Sequence, residues 1–171
     1  RPWPLLAVAA LSLAVAALPV AAQTLPSFTG VGDLAGGDVE SAAVAVSADG
    51  TTVVGFSFSS AGMQAYRWTA GSGIVGLGFL SGSNPDSEAT GVSSDGTVVS
   101  GTSKNNDGDR AFRWTSAVGM VALGTFSCSS CDPASGANAL SGDGLVVVGA
   151  GLSKSLFGDP ELDAARWQGG G

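Results

Sequence analysis

One short unit occurs three times in this chain. A Ser-x-Asp-Gly tetrapeptide at residues 47–50 recurs at 93–96 and 141–144, and an Arg-Trp pair follows each copy. The recurring residues are Asp49, Gly50, Arg67 and Trp68; Asp95, Gly96, Arg113 and Trp114; and Asp143, Gly144, Arg166 and Trp167. The first two copies are 46 residues apart. Self-similarity at such a period indicates one supersecondary unit stacked beside copies of itself.

The first two copies have the pattern of four short strands. In the first copy, a run of small residues at 41–46 precedes the Asp-Gly pair and a β-branched run at 51–56 follows it. Asp-Gly predicts a turn, because Gly tolerates positive φ and Asp bonds to its neighbouring backbone. Residues 64–69 carry aromatic side chains on one face by the period-2 rule, and a glycine-flanked apolar segment at 73–78 ends the unit.

This pattern is typical of a β-propeller blade. We predict an all-β domain of four-stranded antiparallel repeats at about residues 33–78, 79–124 and 125–171. The third repeat lacks its last strand, because only Gln168 and three glycines follow Trp167. Three blades are fewer than the usual four to eight, so we expect a partial or open propeller that further C-terminal repeats continue. A β-solenoid is the alternative, although its coils are usually shorter.

The N-terminal segment has the pattern of a secretory signal peptide. Arg1 precedes an apolar run from Leu5 to Val20, and small residues end the segment. A membrane-spanning helix is the less favoured alternative, because the run is shorter than the roughly 20 residues that a bilayer requires. We expect a signal helix over residues 1–22 and a mature domain over 23–171 without a stable membrane span. The protein is then exported and is extracellular, at the cell surface or periplasmic.

Composition excludes several functions. Without Arg1 the chain has 14 acidic and 6 basic residues, a formal net charge of −8, which argues against a nucleic-acid partner. Histidine is absent, and this excludes Ser-His-Asp and Cys-His catalysis and histidine-ligated metal sites. The two cysteines, Cys128 and Cys131, form a C-x-x-C in a Ser-rich segment. We interpret them as a local disulfide in an oxidising compartment rather than as a redox motif.

Residues that recur in every copy are interpreted as architectural. A unique active site does not need three identical sets, whereas each unit needs the same turn and the same packing. We expect the recurring aspartates to shape turns rather than to bind cations. We expect the recurring arginines to pair with a carboxylate or a backbone carbonyl within their own blade.

Specific function is expected where the copies differ. Asn105, Asp107 and Asp109 alternate in an oxygen-rich loop similar to the first half of a calcium loop. The glycine and glutamate of the second half are absent, so calcium is a weak candidate and no other cofactor is indicated. The loop near residues 153–163 is longer than its counterparts and is expected to project from one rim.

The third strand of the repeat carries the motif Gln-Ala-Tyr-Arg-Trp at residues 64–68 in the first copy and Arg-Ala-Phe-Arg-Trp at 110–114 in the second. With the Val-Ser-x-Asp-Gly and Leu-Gly elements, it resembles the bacterial HAF family of probable extracellular repeats over about residues 27–167. The resemblance implies an exported multi-repeat protein and supplies no catalytic residues. The family's histidine is replaced by Gln64, Arg110 and Asp163.

Two function hypotheses follow. The first is an exported, non-catalytic module that binds an unidentified protein or glycan through rim loops, or forms cell-surface structure as an autotransporter passenger does. The alternative is a propeller-type carbohydrate-active enzyme with paired carboxylates, for which Asp86, Glu88, Asp107 and Asp109 are the candidates. Two carboxylates about 5 to 9 Å apart across a cleft would favour the enzyme.

Overall fold

The computed structural model describes residues 26–83, 85–127, 134–154 and 159–169. These residues form eleven strands and no helix. The strands are β1 (Gly36–Val46), β2 (Thr52–Ser59), β3 (Gly62–Thr69), β4 (Gly73–Gly76), β5 (Ser87–Val92), β6 (Val98–Asn105), β7 (Gly108–Thr115), β8 (Gly119–Ala122), β9 (Ser135–Leu140), β10 (Val146–Lys154) and β11 (Pro160–Gln168). Within these ranges no helix is long and apolar enough to cross a membrane. The predicted signal helix lies outside them.

The strands form three antiparallel sheets, and none of the sheets is closed. The first sheet has the order β1-β2-β3-β4 and the second has the order β5-β6-β7-β8. The third contains β9, β10 and β11, with β10 in the middle. The prediction of an all-β, antiparallel architecture is therefore confirmed.

The three sheets also share their register. Each tryptophan of the recurring motif pairs with a valine of the preceding strand: Val53 with Trp68, Val99 with Trp114, and Val147 with Trp167. The first strand of each sheet contains a bulge, an extra residue without an opposite partner. The bulged residues are Val44, Thr90 and Asn138.

The bulge explains a glycine that the strand pattern alone does not require. A Cβ atom on Gly101 of β6 would collide with the carbonyl oxygen of Glu88 on β5 and would lie 2.7 Å from the ring of Phe112. Gly55 and Gly149 face the equivalent carbonyl oxygens of Ala42 and Gly136. Only glycine fits where the bulged strand approaches this closely.

The sheets stack in chain order. Strand β5 contacts β1, β2 and β3, and β9 contacts β5, β6 and β7. The core lies in the two layers between the sheets. Its first layer contains Val54, Ala65, Leu77, Ala89, Val99 and Phe112. The second contains Ala111, Ala137 and Val147.

Each sheet therefore has two different faces. We call the face toward the next sheet along the chain the leading face, and the opposite one the trailing face. Ala65 of the first sheet packs on its leading face, whereas Phe112 and Trp114 of the second sheet pack on its trailing face. Among the residues that the structure describes, the fully buried aromatic ones are Tyr66 and Phe112, while the three recurring tryptophans are half-buried.

Candidate functional site

The recurring aspartates lie in the turns that precede β2, β6 and β10. In the second turn, the Asp95 carboxylate accepts hydrogen bonds from the Ser93 hydroxyl at 2.6 Å and from the Thr97 backbone N–H at 3.0 Å. The Ser93 hydroxyl oxygen in turn accepts the Val98 N–H at 2.9 Å. The first turn repeats these bonds, and the third repeats them with Leu145 in the place of threonine.

These donors stabilise the charged form of each carboxylate. The serine hydroxyl is the largest cause, and the backbone N–H two residues after the aspartate is the next. Together they hold the pKa of Asp49, Asp95 and Asp143 below the ordinary value of 3.8. The following glycines adopt positive φ, +70° at Gly96. The turn itself therefore accounts for the Asp-Gly pair.

Two of the three recurring arginines connect neighbouring sheets. Arg67 Nε donates to the carbonyl oxygen of Gly96 at 2.9 Å, and Arg113 Nε donates to that of Gly144 at 3.2 Å. A carboxylate or backbone-carbonyl partner within the same blade was expected, and this expectation is corrected: the carbonyl belongs to the turn of the next sheet. The physical reason is strand alternation, which places Arg67 on the leading face, opposite Tyr66. Within its own sheet Arg67 Nη2 donates to the Thr52 hydroxyl at 3.3 Å.

The turns also bond to one another across the stack. Ala48 N–H donates to the Ser94 carbonyl at 3.2 Å, and Ser94 N–H donates to the Gly142 carbonyl at 2.8 Å. A Cβ atom on Gly96 would collide with the Thr52 side chain of the preceding sheet. The second and third turns thus pack on the preceding sheet as closely as glycine permits.

The third sheet differs at its arginine and at its buried aromatic position. Arg166 Nη1 donates to Gln168 Oε1 at 2.8 Å in an exposed position. Ala165 stands where the first two sheets have a buried aromatic ring, and a cavity of about 290 Å³ lies beside it. Phe126 and Trp167 also line this cavity, and Trp167 Nε1 donates to the Gly124 carbonyl at 2.7 Å.

The candidate calcium loop is an ion-paired hairpin turn. Asn105 Oδ1 accepts the Asp107 N–H at 2.9 Å, which closes the turn between β6 and β7. The Asp107 carboxylate lies 3.8 Å from Arg110 Nη2, and the Asp109 carboxylate lies 4.0 Å from Lys104 Nζ. Basic side chains thus offset both charges. In the part of the chain that the structure describes, no three acidic or cysteine residues are grouped to hold a metal ion.

The four carboxylates proposed for an enzyme occupy two places. Asp86 and Glu88 are half-buried near the start of β5, whereas Asp107 and Asp109 are exposed at the β6–β7 hairpin. Asp109 lines a cavity of about 230 Å³ at the hairpin end of the second and third sheets. The other side chains of this rim cleft include Thr102, Asn138, Leu152 and Leu162, and Asp109 is the only carboxylate among the described residues that line it.

The long loop predicted near residues 153–163 is mostly strand. Strands β10 and β11 pair as far as Lys154 opposite Pro160, which lengthens each arm of the hairpin by one residue relative to β6 and β7. Its tip, like Cys128 and Cys131 with their predicted disulfide, lies outside the described residues.

One buried polar pair was missed by sequence reasoning. Asp33 Oδ1 and the Tyr66 hydroxyl are both buried and have no hydrogen-bond partner among the described residues. Burial raises the pKa of Tyr66, and the nearby charge of Asp33 raises it further. The corresponding residues 46 positions later are Phe79 and Phe112, so the repeat pattern carries no signal for this pair.

No protein-family model matches the chain, and a search of curated proteins found none that matches it. The resemblance to the HAF family therefore stays a proposal, and function is argued from the residues themselves.

Proposed function

We propose that this chain is an exported, non-catalytic repeat module that binds a protein or glycan through one rim. One observation carries the proposal: five of the six charged residues that recur, all except Arg166, are used in holding the fold together. Asp95 accepts the donors of its own turn, and Arg113 bonds to the next sheet. A set of residues engaged in this way is architectural and is not free to act on a substrate.

The three sheets are proposed to be blades of an open β-propeller arc. Their strands follow chain order, and the first strand of each later sheet packs across three strands of the sheet before it. This arrangement is typical of propeller blades. The resemblance to the HAF family supports export and a role at the cell surface.

The rim cleft is the surface we assign to binding. It combines the Asp109 carboxylate and the Asn138 amide with the apolar side chains of Leu152 and Leu162. Leu162 is 73% exposed. A few polar groups beside apolar carbons suit a sugar ring or a peptide side chain.

Binding to a glycan array and to intact bacterial surfaces tests this assignment. The double variant Asn138→Ala with Leu162→Ala is expected to lose binding, because it removes both kinds of contact from the cleft. Val118→Ala is the matched control, since Val118 is 64% exposed at the β7–β8 turn, the opposite end of β7. Equal binding by both variants and the wild type would remove the cleft from the proposal.

The same glycans distinguish the non-catalytic module from the alternative, a carbohydrate-active enzyme. Incubation with polysaccharide is expected to release no reducing sugar. Release that disappears in Glu88→Gln or Asp109→Asn would overturn the non-catalytic proposal and establish the paired-carboxylate alternative.

A further inference from the structure

The leading face of the third sheet exposes residues whose equivalents are buried between sheets. Val148 is 41% exposed, whereas Val54 at the same place in the first sheet is completely buried. Ala164 is exposed, whereas Ala65 is completely buried. Arg166, which would reach a following turn as the other two arginines do, bonds to Gln168 instead. This face is one half of an inter-sheet interface.

The trailing face of the first sheet is the other half. Ala43 is exposed, although the equivalent Ala89 and Ala137 are buried against a preceding sheet. Val46 is 57% exposed. A Cβ atom on Gly50 would meet nothing within 4 Å, in contrast to the tight contact of the later turns.

The segment that leads into β1 makes the same hydrogen bonds to the first sheet as the segment between β4 and β5 makes to the second sheet. The Ser41 hydroxyl donates to the Gly32 carbonyl at 2.9 Å, and Leu34 N–H donates to Ser57 Oγ at 3.0 Å. The matching bonds 46 residues later are Ser87 to Gly78 at 2.8 Å and Leu80 to Ser103 at 3.1 Å. Strand β4, the fourth strand of the first sheet, lies 46 residues after residues 27–30. By this spacing, residues 27–30 take the place that the fourth strand of a preceding sheet would have. Phe28 in this segment is fully exposed.

We propose that these two faces bind each other in different copies of this chain. The first sheet of one copy docks on the leading face of the third sheet of another, and Arg166 donates to the Gly50 carbonyl. Residues 27–30 of the docking copy add a fourth strand to β11. The occupant is a second copy because one chain carries both halves of an interface that it already forms twice internally. A further repeat of the same polypeptide is the other candidate for this face, and residues 23–171 would then stay monomeric in the sedimentation experiment below. This inference goes beyond the proposed binding role, since it concerns the two end faces and not the rim.

The contact is head-to-tail, so each dimer keeps one free face of each kind. Such heterologous contacts extend into longer assemblies unless the rotation closes a ring. Both partners are acidic, with a formal net charge of −7 for the full sequence, so higher salt is expected to strengthen association.

Cysteine cross-linking tests the strand register. Thr69 pairs with Gly73, and the equivalent pair between copies is Gln168 with Ser27. Antiparallel neighbours lie about 4.5 to 5.5 Å apart at Cα, which suits a disulfide. The single variants Ser27→Cys and Gln168→Cys are made in a Cys128→Ser, Cys131→Ser background, in both the full chain and the chain from Gln23 onward.

Mixing the two single variants under oxidation is expected to give a covalent dimer that contains one of each. A mixture that stays monomeric would overturn the proposal. So would a double variant that forms only an internally cross-linked monomer, because that product reports closure of one chain on itself.

Sedimentation tests whether the exposed leading face of the third sheet mediates association. Val148→Asp is expected to remain monomeric at concentrations where the wild type associates. Val118→Asp is the control for added charge, because Val118 is 64% exposed in the β7–β8 turn of the second sheet, which forms neither of the two end faces. Circular dichroism verifies folding, and if Val148→Asp unfolds, the cross-linking experiment decides. A wild type that stays monomeric, or Val148→Asp that associates equally, contradicts the proposal.

Discussion

Gly101 shows how one residue specifies the bulged strand pair. The missing side chain leaves room for the Glu88 carbonyl and for the ring of Phe112. The aspartate turns are specified just as locally, since serine and backbone donors surround each carboxylate. The bulge glycine and the aspartate turn recur in each unit, and both involve only residues that lie fewer than ten positions from a turn.

Gly101→Ala is expected to lower the free energy of unfolding by about 1 to 3 kcal/mol, the usual cost of forcing extra atoms into a packed site. Urea denaturation measures this change. Gly71→Ala is the matched control, because a Cβ atom there meets nothing within 4 Å. The control is expected to change stability by no more than about 0.5 kcal/mol. Equal effects of both substitutions would contradict the bulge explanation.

Acid is expected to destabilise the turns. A carboxylate whose pKa is lower in the folded state contributes stability that is fully present above its unfolded pKa and is lost as the pH falls through the folded value. For Asp49, Asp95 and Asp143 that loss begins near pH 4 and continues below it.

Urea denaturation at pH 6 and pH 3 checks this prediction. The triple variant Asp49→Asn, Asp95→Asn, Asp143→Asn is expected to lose less stability between the two pH values than the wild type. An unchanged difference would mean that the turn carboxylates do not govern the acid response.

At the scale of elements, the sheets are joined by arginine and by turn backbone. Arg113 bonds to Gly144 of the next sheet, whereas its counterpart Arg166 is exposed. The two residues are therefore a natural pair for measuring what one inter-sheet bond contributes.

Arg113→Ala is expected to lower the free energy of unfolding by about 1.5 to 3 kcal/mol, as for a hydrogen bond from a charged group. Arg166→Ala, measured in dilute solution, is expected to change it by less than about 0.5 kcal/mol. Chemical denaturation of both variants provides the comparison. A similar loss in both would show that Arg113 acts within its own sheet.

The sequence was sufficient to predict the strands and the turns but not the contacts between the sheets. Repetition and the Asp-Gly pair located the turn at Asp95, because that signal is local in the chain. The partner of Arg67 was misplaced, because Gly96 lies 29 residues away and strand alternation alone does not identify the neighbouring sheet. The bulge at Thr90 had a signal that was overlooked, namely a glycine at the same place in every second strand. The rim cleft is lined by residues of two sheets, so no local pattern in the sequence marks it.

At the scale of the whole molecule, the stack is held by layers that involve both faces of the second sheet. Its trailing face carries Phe112 against the first sheet, and its leading face carries Ala111 against the third. Nearest-neighbour packing of this kind makes stability a sum of unit and interface contributions. Removing an interface is therefore expected to weaken the units on both sides.

Amide hydrogen exchange at Ser94 tests the stacking most directly. Its N–H lies in an exposed turn and donates to Gly142 of the next sheet, whereas Gly96 N–H donates to Ser93 within the turn. If the sheets stack in solution, Ser94 is protected from exchange to an extent comparable with Gly96. Exchange of Ser94 at the rate of an open turn, while Gly96 stays protected, would show that the turns form without the stack and would contradict this account of the fold.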